Sequence, residues 1–288
     1  MCKERAVTIV LALKVGDGIV MGADSASTIV GVGNSYHNSY FNAEKLFNLV
    51  KGLPIGAVTY GLGGLANRSV GSLAKDLRKR LSDTSDAKWY LNPATYTLGQ
   101  VADRVKEFFY DELYAPTIPP SPEAPGMGFL IGGYSAQSET AEVWKVTVLE
   151  GGTSGAPQQV CPPTEPWGAY WEGQGEAIRR LLMGYSWQLV ERLKTAGMPQ
   201  NDALQLVQSL EPVVHPTMPI QDAIDLVHFL IDVTCGFVRF APGPATVAQP
   251  IDSAAITRHE GFRWVRRKHY YSSTLNLPIP LAEHSPKP

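Results

Sequence analysis

Four residues in the first quarter of the chain have types that could act together around a nucleophile. Thr8 opens the run TIVLALKVGDGIVMGADS, Asp24 lies near its end, Lys45 sits in NAEKLFNL and Gly63 in GLGGLAN. A threonine hydroxyl is a weak nucleophile and needs a base. If the residues ahead of Thr8 were removed, its own α-amine, with an unperturbed pKa of about 8, could be that base. A lysine ammonium beside the hydroxyl favours loss of its proton, and an aspartate holds such a lysine charged and oriented. A glycine N–H leaves room for a tetrahedral oxyanion, and one such donor is typically worth ~3–4 kcal/mol in the transition state. Each residue also has a plainer reading. Thr8 suits a strand, Asp24 a turn, Lys45 a surface and Gly63 the end of a strand.

Cys2 is a rival nucleophile. Loss of Met1 would expose an N-terminal cysteine, which is intrinsically more nucleophilic than threonine. Its distance along the chain from Thr8 places it beyond such a site unless the segment folds back. The cysteines Cys2, Cys161 and Cys235 are widely spaced, with no CxxC pair and no histidine cluster. That argues against a disulfide framework or a metal site, and a reducing cytoplasm is the expected setting. No cofactor motif is present. His37 and His228 have no partner pattern that would make them ligands.

The elements that must position these residues begin with two apolar runs. Val7–Leu13 and Ile19–Ala23 read as strands joined by the turn Lys14–Gly18, a hairpin covered on both faces. A polar stretch, Ser25–Asn42, precedes two more strands, Lys45–Val50 and Ile55–Tyr60. Val70, Leu73, Ala74, Leu77 and Leu81 then follow helical spacing, as do Leu98, Val101, Ala102, Val105, Phe108 and Phe109. After a Pro-rich surface loop at Ala115–Pro125, Met127–Tyr134 and Val143–Leu149 read as strands, with Gly151–Pro163 as a loop. Helical periodicity returns at Glu176–Ala196, at Asp202–Leu210 and in a stretch carrying Ile220 to Ile231, and a last strand is expected near Thr246–Thr257. Runs of strands alternating with runs of helices predict stacked sheets with helices outside.

Composition sets the bounds. The 288 residues are 44% hydrophobic and 18% charged, enough for one sizeable α/β core. With 25 Lys+Arg against 27 Asp+Glu the formal net charge is -2, so there is no basic bias toward nucleic acid. The apolar run near the start is interrupted by Lys14 and Asp17 and is too short to span a membrane.

The segment Thr8–Ser25 resembles the start of a mature proteasome β-subunit, and is similar to the related subunit of the bacterial ATP-dependent double-ring protease. In that pattern a threonine opens the first strand, an Asp-Gly turn follows, and an aspartate ends the second strand. The resemblance places Thr8 on the nucleophile, Asp24 on the buried carboxylate, Lys45 on the strand lysine and Gly63 on the oxyanion glycine. DVTCG matches an Asp-x-x-Ser-Gly motif at the end of a helix, with Asp232 retained and Cys235 in place of serine. GQG resembles a Gly-Ser-Gly turn, with Gln174 where a serine normally assists the α-amine. Thr28 falls where substrate backbone is bound. The match runs from Thr8 to about Ile256, its middle only by the order of elements.

The resemblance implies an N-terminal nucleophile hydrolase fold: an α/β, four-layer αββα sandwich of two stacked, mainly antiparallel sheets with outer helices. It divides the chain into a candidate propeptide at 1–7, one domain over 8–258 and a C-terminal extension at 259–288. It implies a threonine-type peptidase acting on peptide or unfolded protein through an acyl-enzyme, in a homo-oligomeric ring and with an ATPase or regulator as a further partner. Some positions depart from the pattern. Val7 stands where self-processing relatives have glycine, and its β-branch crowds the peptide that must rearrange. Ile9 replaces a second threonine, and Gln174 cannot relay a proton as a hydroxyl does. A catalytically silent structural subunit, and an amidohydrolase acting on small amides through Cys2, are the alternatives these departures keep open. The basic cluster Arg263, Arg266, Arg267 and Lys268 reads as a solvated or partner-docking tail.

Overall fold

A computed structural model of the chain describes residues 8–30, 36–209 and 213–269. Strands β1 (Ile9–Val15) and β2 (Gly18–Ala23) pair antiparallel as the first hairpin. The turn is tighter than the Lys14–Gly18 expected. Lys14 belongs to β1 and is buried, its stem within the layers and its Nζ donating to the Pro162 carbonyl at 3.1 Å. The hairpin lies at the centre of a five-stranded antiparallel sheet. Its order is β12 (Gly168–Gly173), β1, β2, β13 (Asp252–Thr257) and β14 (Gly261–Arg266).

The second sheet has the order β11 (Gln158–Cys161), β10 (Glu142–Val148), β9 (Met127–Gly133), β6 (Ile55–Gly61) and β5 (Leu46–Asn48), also antiparallel. β3 (Ser27–Val30) and β4 (Tyr36–Tyr40) form a separate hairpin, and β7 (Gly64–Leu65) and β8 (Arg68–Ser69) a short pair. Alternation of side chains along β1 builds two cores at once. Val10 and Ala12 face the second sheet beside Met21, Val58 and Leu130. Ile9, Leu11, Leu13 and Val15 face the helices α4 (Glu176–Met183) and α7 (Ile220–Phe240). On the far side of the second sheet, α1 (Val70–Leu81) and α2 (Leu98–Lys106) cover Phe47, Ile55 and Phe129. The layers are therefore helix, sheet, sheet, helix, as expected.

Several local expectations are revised. The helix expected over Glu176–Ala196 is split, because Gly184 takes a left-handed φ of 73° that ends α4, and Ser186 then caps α5 (Trp187–Thr195). A separate helix, α6 (Gln200–Val207), follows. The helix begun by α2 continues as a π-helix over Glu107–Tyr114 into the short α3 (Ala115–Thr117). β11 lies in the segment expected as a loop, and β12 is an additional strand. The last strand expected from Thr246 starts only at Asp252, and residues 246–250 form a loop over the site described below. Residues 261–266, expected in a tail, are an edge strand.

Candidate active site

Thr8 is the residue immediately before β1, and it is buried. Its position is fixed from both sides. The register places Ile9 opposite Gly173 and Val10 opposite Ala23. The Thr8 carbonyl accepts a hydrogen bond from the Gln174 amide at 2.7 Å. Gly173, with a φ of 96°, makes that approach possible, since a Cβ there would lie 1.9 Å from the Thr8 oxygen.

Asp24 follows β2 directly and is fully buried. Its Oδ1 accepts from Thr8 Oγ1 at 3.1 Å, from the Ile9 amide at 3.0 Å and from Lys45 Nζ at 2.6 Å. Its Oδ2 accepts from the Ala26 amide at 2.8 Å and the Ala248 amide at 3.2 Å. Both oxygens of this buried carboxylate are thus supplied by donors, one of them the buried lysine. Lys45, just ahead of β5, also donates to Thr8 Oγ1. Burial pushes the Lys45 ammonium below its ordinary value of 10.5, and the attraction of Asp24 acts in the other direction. The Thr8 hydroxyl thus sits between an ammonium and a carboxylate, in a small cleft whose walls include Ala26, Ala43, Glu44, Tyr60, Leu62 and Gly63.

The remaining predicted residues fall at varying distances from this cluster. Gly63 lines the same cleft as Thr8 and Lys45, and its carbonyl accepts from the Val70 amide at 3.1 Å. Gln174 is adjacent through its backbone, while its side chain donates to Thr246 Oγ1 at 3.4 Å. DVTCG does not end a helix, as α7 continues past it to Phe240. Asp232 is exposed and accepts from the Gln249 side-chain amide rather than reaching Thr8. Cys235 is half-buried, and burial, with the nearby Asp24 and Asp232 carboxylates, pushes its thiol up to about 12. The Thr28 side chain and Cys2 lie outside the described residues.

The sequence reading did not single out the loop 246–250. It meets Gln174 through Thr246, Asp24 through the Ala248 amide and Asp232 through Gln249. Ser25 was also missed. Its amide donates to the Ala248 carbonyl at 2.9 Å, and its own carbonyl accepts from the Ala43 amide at 3.1 Å, two residues before Lys45. Backbone partners of this kind leave no signature in residue type.

No family model and no curated protein matches the chain. Solved structures do. Anbu from Hyphomicrobium sp. strain MC1 superposes with a TM-score of 0.53 at 15% identity, over 90% of this chain and 86% of that one. The helical assembly of the Anbu complex from Pseudomonas aeruginosa gives 0.52 at 16% identity, over 96% of this chain and 100% of that one. At such identities the likeness is one of fold: the chain has a four-layer αββα sandwich like that of the Anbu structures.

Proposed function

We propose that this chain is a threonine-type N-terminal nucleophile hydrolase that cleaves amide bonds of peptides. The observation that carries the reading is the Thr8 hydroxyl in hydrogen-bond contact with both Lys45 Nζ and Asp24 Oδ1 at the edge of a cleft. Removal of residues 1–7 frees the Thr8 α-amine as the base. The Thr8 Oγ1 proton passes to that amine while the oxygen attacks the substrate carbonyl carbon. Lys45 stabilises the developing alkoxide, and Asp24 keeps Lys45 in place. The tetrahedral oxyanion faces the Gly63 amide. Collapse transfers the proton to the leaving nitrogen, breaks the C–N bond and leaves an ester on Thr8. Water, activated by the same amine, then hydrolyses the ester. Asp232 acts at one remove, by holding Gln249, the neighbour in the loop of Ala248, whose amide binds Asp24.

The exposed Phe229, Phe237 and Phe240 of α7 support self-assembly, as does the helical assembly described for the Pseudomonas aeruginosa neighbour. A closed ring of identical chains remains the arrangement to look for, by native mass spectrometry. An ATPase or regulator is a partner that the sequence resemblance alone supports.

A silent structural subunit is the second reading, favoured by Val7 ahead of Thr8. Peptidase assays separate the two. Thr8→Ala should lower kcat/KM by at least about a thousandfold with the fold intact, as loss of a nucleophile does. Full activity in that variant would refute the threonine mechanism, and no activity in either protein would favour the silent subunit. Activity that survives Thr8→Ala and disappears with Cys2→Ala would assign the chemistry to Cys2.

A further inference from the structure

A second lysine–carboxylate pair, its carboxylate buried, meets Ser25, the residue after Asp24. Lys268 follows β14, and its side chain is only 12% exposed. Its Nζ pairs with the Asp252 carboxylate and also donates to Ser25 Oγ at 2.5 Å, across 243 positions of sequence. The Lys268 amide donates to the other Asp252 oxygen at 2.9 Å. Ser25 is fully buried, and Asp252 nearly so. Taking a lysine and an aspartate out of water costs several kcal/mol per ion unless geometry and further hydrogen bonds offset it. Here the pair is spent on one hydroxyl.

That hydroxyl is fully committed. Ser25 Oγ accepts from Lys268 and donates to the Pro250 carbonyl, which fixes its rotor. The Ser25 amide is bound to the Ala248 carbonyl and the Ser25 carbonyl to the Ala43 amide. Ser25 is therefore joined to Asp24 by a peptide bond, to the segment leading into Lys45 by a hydrogen bond, and to the loop that supplies the Ala248 amide to Asp24.

We propose that Lys268 is a positioning residue for the Thr8 site: with Asp252 it clamps Ser25, and through Ser25 it holds Asp24 and the approach to Lys45 in register with the Thr8 hydroxyl. The proposal rests on the threonine hydrolase reading for its kinetic consequence, while its structural consequence can be read without activity. Displacements of this kind raise the barrier while leaving ground-state binding nearly untouched.

The experiment compares wild type with Lys268→Met, Lys268→Arg and the double variant Lys268→Met/Asp252→Asn. Peptidase kinetics and hydrogen exchange at the Ala26 amide, which is bound to Asp24 Oδ2, are followed together. Lys268→Met should lower kcat about 10- to 100-fold with KM within about twofold, and should speed Ala26 exchange about tenfold. Lys268→Arg, which keeps charge and donors, should recover most of both. The double variant leaves no unpaired buried carboxylate, so it folds even where the single variant does not, and it should still show the low kcat and fast exchange. Full kcat and slow exchange in the double variant would overturn the proposal, because the only harm would then be the stranded carboxylate. Equal losses in the Arg and Met variants would overturn it too. If wild type proves inactive, the hydrolase reading fails by itself, and Ala26 exchange alone decides whether Lys268 holds the turn.

Discussion

Thr8, Asp24 and Lys45 are common residue types, and burial is what makes their combination unusual. A lysine kept below its ordinary pKa by burial binds fewer protons in the folded than in the unfolded chain. Stability therefore rises with pH between the folded value and 10.5, and the penalty is fully present below the folded value. In urea titrations at increasing pH on the alkaline side of neutrality, the stability of wild type relative to Lys45→Met should increase. A constant or shrinking difference would show that Lys45 is not held in this way. The resemblance of Thr8–Ser25 and of NAEKLFNL to a family pattern is what points to Thr8, Asp24 and Lys45, and the hydrogen bonds bring the three side chains together. Asp232 and Gln174 were harder to place. Their motifs are marked by residue type, yet the structure gives Asp232 to Gln249 and uses Gln174 first through its backbone amide. Ser25, Ala248 and Lys268 were not legible at all, since their roles come from backbone groups and from a contact between distant ends of the chain.

At the scale of elements, period decided what could be read. β1, β2, β6 and β9 are largely apolar runs, β10 is buried at Val143, Val146 and Val148, and α1, α2 and α7 carry clear helical stripes. β11 and β12 were missed because they contain polar residues and are mostly half-exposed, so they show no clear alternation. β12 nonetheless sets the position of Thr8, and Gly173 at its end is the tightest point. Gly173→Ala must both strain a left-handed residue and displace the Thr8 carbonyl. It should lower Tm by several degrees, for a cost of about 2–3 kcal/mol or more. Gly197, whose φ of 94° is similar but which has open space around it, is the control: Gly197→Ala should cost only about 1 kcal/mol. Equal thermal shifts for the two variants would mean that the contact at Thr8 adds nothing to the strain.

For the whole molecule, two sheets share one interior layer while each has a helical layer outside, and this arrangement survives at 15–16% identity to the Anbu structures. Such persistence is expected where the requirement is apolar side chains of suitable volume at alternating positions rather than particular residues. The fold brings the start of β1, the end of β2 and the approach to β5 to one edge of the sandwich, and the cleft opens there. In the proposed mechanism Thr8 is the nucleophile and its own α-amine is the base. The intact mass of the purified protein under denaturing conditions is the direct test. If Thr8 is the nucleophile, the wild-type chain begins at Thr8 and the Thr8→Ala chain retains residues 1–7. A wild-type chain that keeps residues 1–7 while showing peptidase activity would contradict it.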